Sequence, residues 1–515
     1  MKNTSLNHAQ AFLRPHVSKG LIIVNGILLL VYFIVILVWF EISNIYLFTI
    51  LLFGQAFYLW QCFSHLYTVW ETNYQAHTDA SFLPMVDVFI TVAGEPVELV
   101  AQTVSAALEM DYPKFKVHIL NDGYVAGKDN WPEINNMARM LGANPITRRI
   151  PGGAKAGNIN HALTVTRSPF VVIFDADHVP KKDFLRKTIG YFVDENVGFV
   201  QTPQYYKNYK KNTVTRGAWD QQQIFFGAIC MGKNRLNSVT MAGTNMVIRR
   251  EALLEVGGMC ADNIAEDFIT GMFLHEKGWK SVYVPEVLAE GLAPEDFLSY
   301  YKQQLRWTKG SLEVFINYNP LFRRGLAWSQ RFQYLASAGY YLSGLIIFIN
   351  SLLPLIFFYT GAVPFKTSTM ILAIAFMPYI VLTLFNLQTA SNYTYSFRAL
   401  SFSMSSWWIH MVAFFEVLRG KKTGFAITSK VQVEGNFFSL VRPHLYYMIL
   451  TVIGILYSYS KSGITPSLTT NATWSLLYIT IYAPFMYAAL PGREYFKVKR
   501  VSFKHKLAQI LSFHL

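Results

Sequence analysis

The chain has 515 residues, of which 52% are hydrophobic and only 15% are charged, and its formal net charge is +14. This balance is too apolar for a soluble enzyme of that length and indicates one enzyme domain joined to a membrane region. The positive charge does not call for a nucleic-acid partner, because membrane proteins collect Lys and Arg on their cytoplasmic side and a basic site suits a pyrophosphate-bearing ligand. The three cysteines have no paired spacing, so neither a disulfide framework nor a zinc site is expected.

Apolar runs near the two ends of the chain divide it into four regions. We expect a membrane region over 1–70, a cytosolic α/β domain over 80–325, a second membrane region over 326–490 and a basic tail over 491–515. Six runs are predicted to span a bilayer, although the last two fall short of the roughly 20 residues that a span needs. They are Leu21–Phe40, Ile45–Leu66, Phe332–Tyr359, Met370–Leu387, His444–Tyr459 and Trp474–Leu490.

The segment Phe397–Arg419 has a different pattern from the six spans. Its apolar residues recur at helical spacing on one stripe, while Arg398, Ser405 and Glu416 fall off it. We interpret it as a helix lying in the cytoplasmic interface rather than a seventh span. The stripe consists of Leu400, Met404, Trp408, Met411, Phe415 and Leu418.

The distribution of basic residues predicts the orientation. Basic residues cluster in the segment after Arg398 and again in the tail, whereas Lys366 and Lys461 stand almost alone in the loops on the other side. The positive-inside rule then places both termini and the central domain in the cytoplasm of a multi-pass protein of the plasma (inner) membrane.

The central region alternates strand-like and helix-like runs, which predicts a mostly parallel sheet covered by helices. The strands are predicted at Val86–Val92, Val117–Leu120, Phe170–Phe174 and Val197–Gln201, and the helices at Val97–Glu109, Ile134–Leu141 and Phe184–Phe192. In such folds, ligands bind beyond the carboxyl ends of the strands.

Carboxylates follow two of these strands. Asp122 comes just after one strand, and Asp175, Asp177 and His178 come after another. Two aspartates one residue apart supply the hard oxygen ligands that a divalent cation on a diphosphate requires. Asp122 alone is equally compatible with a turn or a helix cap.

Three further groups of residues suit transfer chemistry. Lys155 precedes a helix start, where an anion is stabilised, although it could be a solvated lysine. Glu266 and Asp267 offer a base for a hydroxyl nucleophile, or merely complement a helix dipole. Gln303, Arg306 and Trp307 share one helix face, where Arg can hold a phosphate and Trp can stack on a sugar; an interfacial Trp with a snorkelling Arg is the alternative.

Taken in order, these motifs resemble family 2 glycosyltransferases of the cellulose synthase group, whose pattern is Asp, Asp-x-Asp, Glu-Asp and Gln-x-x-Arg-Trp. The stretches KAGNINHAL (155–163), DADHVP (175–180) and FVQTPQ (199–204) look like the same group, and 425–430 resembles its gating loop. The resemblance covers roughly residues 20 to 490. It implies an α/β GT-A domain inserted in a helical transmembrane bundle of six spans plus interfacial helices.

The implied activity is processive, inverting transfer of glucose from UDP-glucose to a growing β-glucan, which is threaded across the lipid bilayer. Homo-oligomers and accessory secretion subunits stay open as partners. The resemblance assigns donor binding to Glu95, Asp122, Lys155, Asp175, Gln303 and Arg306. It assigns an Mg²⁺ or Mn²⁺ site to Asp175, Asp177 and His178, and the catalytic base to Asp267. It assigns acceptor binding to Trp307, Gly243, Thr244, Asn245 and Glu266, and gating to Phe425, Thr428 and Lys430.

The sequence departs from the family pattern at a few positions near the sugar sites. Asn121 replaces the first Asp of Asp-Asp-Gly, Ala265 replaces the Thr of Thr-Glu-Asp, and Ser429 replaces a Pro. Residues 92–96 read Val-Ala-Gly-Glu-Pro in place of Thr-Tyr-Asn-Glu-Pro. Two alternatives remain open: a hyaluronan- or chitin-type synthase using a UDP-amino sugar, and an inactive membrane scaffold or export pore, against which the intact carboxylates argue.

Overall fold

The structure is a computed structural model that describes residues 10–421, 433 and 435–491. A seven-stranded mixed sheet forms the core of the central domain. Its strands, in chain order, are β1 Val86–Val92, β2 Phe115–Asn121, β3 Asn144–Ile146, β4 Phe170–Asp175, β5 Val197–Gln201, β6 Met246–Arg249 and β7 Lys280–Tyr283. The spatial order is β3-β2-β1-β4-β6-β5-β7, and only β6 runs antiparallel to its two neighbours. The prediction of a mostly parallel sheet is therefore confirmed.

Helices cover both faces of this sheet, as the apolar character of its strands requires. Every residue of β1 is buried. The helices of the domain are Val97–Leu108, Trp131–Leu141, Ala154–Val165, Phe184–Thr188, Thr213–Ile224, Cys230–Arg235, Arg250–Glu255, Glu266–Glu276 and Phe297–Asn317. The predicted helix Phe184–Phe192 is α-helical only to Thr188 and continues as a 3-10 turn, Ile189–Val193.

Among the described residues, five helices are long and apolar enough to cross a membrane. They are Lys19–Trp39, Ile45–Val69, Trp328–Thr360, Met370–Ala390 and Phe438–Ser462. The sixth predicted span corresponds to a helix of sufficient length, Pro466–Ala488, which is less apolar than these five. Five of the six predicted spans thus have matching helices, and the sixth stays a prediction.

The interfacial segment differs from the single helix expected over 397–419. It forms two helices, Phe397–Ser405 and Trp407–Leu418, with a break at Ser406. The Ser406 hydroxyl donates to the carbonyl of Phe402 at 2.8 Å, a back-bond that bends helices, and His444 Nε2 donates to the carbonyl of Ser405 at 2.8 Å. Of the predicted stripe, only Phe415 and Leu418 are exposed, and Ser405, predicted off the stripe, is buried. The other stripe residues pack on or within the hydrophobic core: Leu400, Met404, Trp408 and Met411.

Contacts at the two ends of the helix bundle distinguish its domain side from its far side. Lys19 pairs with Glu71 at 3.3 Å beside the domain, and Phe12, from the N-terminal segment, packs on Trp219 of the domain. At the other end, the short strand Glu41–Ile42 pairs with Phe365–Lys366. The loops that contain Glu41 and Lys366 therefore lie together, away from the domain.

Candidate active site

The carboxyl ends of three neighbouring strands form the edge of the site. Val92 of β1 lies opposite Asn121 of β2, and Thr91 lies opposite Asp175 of β4. Asn121 is fully buried, and its amide donates to the carbonyl of Trp131 and to Asn135 Oδ1, each at 2.8 Å. Asparagine can make both donations and aspartate cannot, so this departure from the family pattern has a structural reason.

Asp122 follows β2 and is held by Arg148, a residue that lies outside the sequence motifs. Arg148 donates through Nε to Asp122 Oδ1 and through its NH2 group to Oδ2, each at 2.6 Å, and both residues are buried. Glu95 lies after β1 and accepts the backbone N–H of Ala93 at 2.7 Å. In the sequence, Arg148 is marked only by a second arginine beside it and two glycines after it. Its partner Asp122 lies 26 residues away in the chain, so local sequence does not reveal the pair.

Lys155 joins two parts of the site. Its Nζ donates to Asp175 Oδ1 and, at 2.7 Å, to the carbonyl of Gly243. Burial acts to lower the pKa of Lys155, but the carboxylates of Asp175, Glu266 and Asp267 outweigh it and the pKa is raised. Burial likewise acts to raise the pKa of Asp175, while Lys155 and His178 hold it below its ordinary value. Lys155 is therefore a fixed positive charge among carboxylates.

Asp175, Asp177 and His178 form a group with the dimensions of a cation site. One ligand atom from each lies within 4.8 Å of the other two. Asp177 Oδ1 is 3.5 Å from His178 Nδ1, and Asp177 Oδ2 accepts the N–H of Leu292 at 3.2 Å. Both ring nitrogens of buried His178 lack a hydrogen-bond partner within the described chain. Two carboxylates with an unsatisfied imidazole suit a divalent cation, so the three residues fit the predicted metal.

Glu266 and Asp267 begin the helix Glu266–Glu276 and face the same centre. Burial, and then the neighbouring Asp267, raise the pKa of Glu266 to about 7, while Lys155 opposes them. Burial also raises the pKa of Asp267, against the N–H of Phe268, which its Oδ1 accepts at 2.7 Å. Paired carboxyls of raised pKa in a partly enclosed site are typical of acid–base catalysis.

Gly243 brings the base candidate and the lysine together. Its φ is +76°, and a Cβ placed on it would stand 2.8 Å from Asp267 Oδ2 and 3.7 Å from Lys155 Nζ. Thr244 and Asn245 are fully buried: the Thr244 hydroxyl accepts the N–H of Asp175 at 2.9 Å and donates to Asn245 Oδ1 at 3.2 Å. Their predicted contact with an acceptor stays a prediction, and the bonds found here fix the end of β4.

The helix Phe297–Asn317 carries the remaining predicted residues beside the carboxyl pair. Gly310 packs so closely on Ala265 that a Cβ on the glycine would lie 2.7 Å from that of the alanine. Arg306 lies near enough to oppose the raised pKa of both Glu266 and Asp267. Gln303 is buried, and its Oε1 has no hydrogen-bond partner in the described part of the chain. Trp307 is partly exposed.

The gating residues Phe425, Thr428 and Lys430 lie outside the described residues. Among the apolar helices, however, several polar atoms are buried without a hydrogen-bond partner in the described ranges: Ser405 Oγ, Trp407 Nε1, both ring nitrogens of His410 and the hydroxyl of Tyr482. Aromatic rings surround them, with Phe348 stacked on Trp407 at 5.5 Å and Tyr341 5.2 Å from His410.

Family models and curated relatives match parts of the chain. Residues 84–310 match the model described as glycosyltransferase like family 2, and residues 254–462 match the cellulose synthase model. The chain is 31% identical to the UDP-forming cellulose synthase catalytic subunit of Pseudomonas fluorescens over 466 residues, which are 86% of this chain and 62% of that one. It is 29% identical to putative cellulose synthase 2 of Komagataeibacter xylinus over 88% of this chain and 31% of that one. The chain thus spans less than two thirds of the length of these relatives.

A solved structure supports the fold. The mannosyltransferase of Pyrobaculum calidifontis in complex with GDP-Man and Mn²⁺ superposes with a TM-score of 0.50 at 18% identity, covering 73% of this chain and 100% of that one. The central domain therefore has the GT-A fold that the resemblance implied. Over residues 84–462 the chain is thus similar to family 2 glycosyltransferases and to cellulose synthases.

Proposed function

We propose that this chain is a processive, inverting glycosyltransferase that polymerises glucose from UDP-glucose into a β-glucan and moves the product across the membrane. One observation carries the proposal: the Asp175–Asp177–His178 group after β4, Lys155 and the Glu266–Asp267 pair converge around Gly243. A base and a diphosphate site so close together suit transfer of a sugar between them.

The donor would bind along the strand ends. Asp122 and Glu95 would contact the nucleoside, while Lys155, Gln303 and Arg306 would hold the diphosphate, whose charge Arg binds well. Asp175, Asp177 and His178 would hold Mg²⁺ or Mn²⁺, which supplies charge neutralisation for the departing diphosphate. Lys155 is pre-positioned for the same task because the carbonyl of Gly243 fixes its ammonium group.

The base would be Asp267. The acceptor hydroxyl oxygen attacks the anomeric carbon, the carbon–oxygen bond to UDP breaks with its electron pair on the β-phosphate, and Asp267 Oδ2 takes the hydroxyl proton. Burial raises the pKa of Asp267, which makes it a better base than an exposed aspartate. Attack from the face opposite UDP inverts the configuration and gives a β-linkage from an α-linked donor.

The helix bundle would conduct the product. Buried polar atoms in a membrane bundle are costly unless a polar ligand or water satisfies them, and Trp407, His410 and Tyr482 present such atoms among aromatic rings. Trp307, with Gly243, Thr244, Asn245 and Glu266, would bind the acceptor end at the entrance, because an indole stacks on a sugar face. In the proposed orientation the domain is cytoplasmic and Lys366 lies outside, which requires the loops of Glu41 and Lys366 to share one side, as their strand pairing allows.

A panel of UDP-sugars tests the proposal. We would incubate the purified protein with UDP-glucose, UDP-N-acetylglucosamine or UDP-glucuronate, follow UDP release, and digest any polymer with linkage-specific glucanases. Of the three donors, only UDP-glucose should give a polymer, and a β-glucanase should degrade it. A polymer formed only from amino-sugar donors would instead favour a hyaluronan- or chitin-type synthase, and no UDP release from any donor would favour an inactive scaffold.

A further inference from the structure

Arg148 makes hydrogen bonds at the carboxyl edge of the sheet beyond its pair with Asp122. Besides its two bonds to Asp122, its guanidinium donates through NH1 to the carbonyl of Gly152 and through NH2 to that of Ala154, the latter at 2.9 Å. Only 7% of its surface is exposed. A planar guanidinium can hold a carboxylate and two carbonyls at fixed angles, and a lysine cannot.

The turn that Arg148 holds has an unfavourable backbone. Gly152, Gly153 and Ala154 all have positive φ, at +133°, +65° and +42°, and Ala154 has a Cβ that disfavours this region. Gly157, one turn along the helix, has no room for a Cβ, which would stand 2.6 Å from Arg148 NH1 and against the carbonyl of Gly152. Such a conformation persists only when the surroundings impose it, and Arg148 supplies two of the contacts that do so.

The next residue after this turn is Lys155, which contacts Asp175 and Gly243. Arg148 therefore connects the end of β2, through Asp122, to the lysine that lies at the end of β4. We propose that Arg148 is a positioning residue that sets Asp122 and Lys155 in the one arrangement that binds the nucleoside diphosphate of the donor. This inference rests on the proposed function, and it adds a residue that acts on the donor only through its neighbours.

The test compares Arg148→Lys with Arg149→Lys. R148K keeps the positive charge beside Asp122 but loses the paired hydrogen bonds to its carboxylate and the bonds to the two carbonyls. R149K changes an exposed neighbour whose guanidinium lies 4.5 Å from the ring centre of Tyr124. Loss of a side chain that orients metal ligands typically costs about 10- to 100-fold in affinity or activity, and we take the same scale for Arg148. We expect R148K to weaken UDP binding in the presence of Mg²⁺ and to raise the donor KM by about that factor, with kcat within about threefold of wild type. R149K should match wild type in both.

A rescue variant separates positioning from general stability. Glycine adopts the φ of Ala154 without strain, so Ala154→Gly in the R148K background should recover a good part of the UDP affinity. Wild-type UDP affinity in R148K, an equal loss in R149K, or a loss confined to kcat would overturn the proposal.

Hydrogen exchange of residues 150–157 gives a readout that needs no ligand. It should be faster in R148K than in wild type, and unchanged exchange would contradict the proposal. A wild-type protein that binds no UDP would defeat the proposed function, and this exchange measurement would still decide whether Arg148 holds the turn.

Discussion

Replacing Asp267 by Asn removes the proposed base while leaving its surroundings almost unchanged. Asn keeps an oxygen that can accept the N–H of Phe268, which Asp267 Oδ1 accepts at 2.7 Å. The fold should tolerate the change, because burial already raises the pKa of Asp267 and a neutral side chain relieves its repulsion of Glu266. Loss of a positioned general base costs about 10²–10⁴-fold in rate, or about 3–5.5 kcal/mol in barrier height.

The assay measures UDP release and UDP binding on the same preparations. D267N should lose at least about 10²-fold in kcat and keep UDP affinity near wild type, because the base acts in the transition state. Asp262→Asn, at an exposed position in the preceding loop, is the matched control and should retain full activity. If Asp267 only caps its helix, Asn replaces it with little effect. A D267N enzyme that polymerises at close to the normal rate would therefore refute its role as the base.

Four more outcomes are expected. Chelation with EDTA should abolish polymer synthesis and Mg²⁺ or Mn²⁺ should restore it; full activity in chelator would exclude the metal site. The variants Asp122→Asn and Asp177→Asn should weaken donor binding. The pKa of Glu266 is about 7 in the fold against 4.5 ordinarily, so the folded state holds this proton more tightly. The protonated carboxyl of Glu266 therefore stabilises the fold below pH about 4.5, and this contribution is lost as the pH rises through about 7. Tm should fall over that range in wild type and fall less in Glu266→Gln. Equal falls in both proteins would contradict the raised pKa of Glu266. Cysteines introduced at Lys422 or Lys499 should resist a membrane-impermeant label in intact cells, while one at Lys366 should react; external labelling at Lys422 or Lys499 would overturn the orientation.

Strand ends were predictable because hydrophobic runs and the polar residues that follow them are local features of the sequence. That is why Asp122 and Asp175 were placed at the same edge of the sheet, as the register of the strands confirms. The hydrogen bonds from Arg148 to Asp122 were not predictable, because they join side chains that are 26 residues apart in the sequence. The break at Ser406 also escaped prediction, because an apolar stripe continues across it and the cause is a pair of hydroxyl and imidazole bonds.

The length of the product at low conversion tests the central claim, processive synthesis from UDP-glucose, most directly. Purified protein in lipid vesicles would be given labelled UDP-glucose, and the product would be sized while less than about one donor in a hundred has been consumed. Processive transfer predicts long, β-glucanase-sensitive chains from the first time point, with UDP released in step with polymerised glucose. Free glucose, or products of one or two sugars that lengthen only as the donor is consumed, would contradict the account.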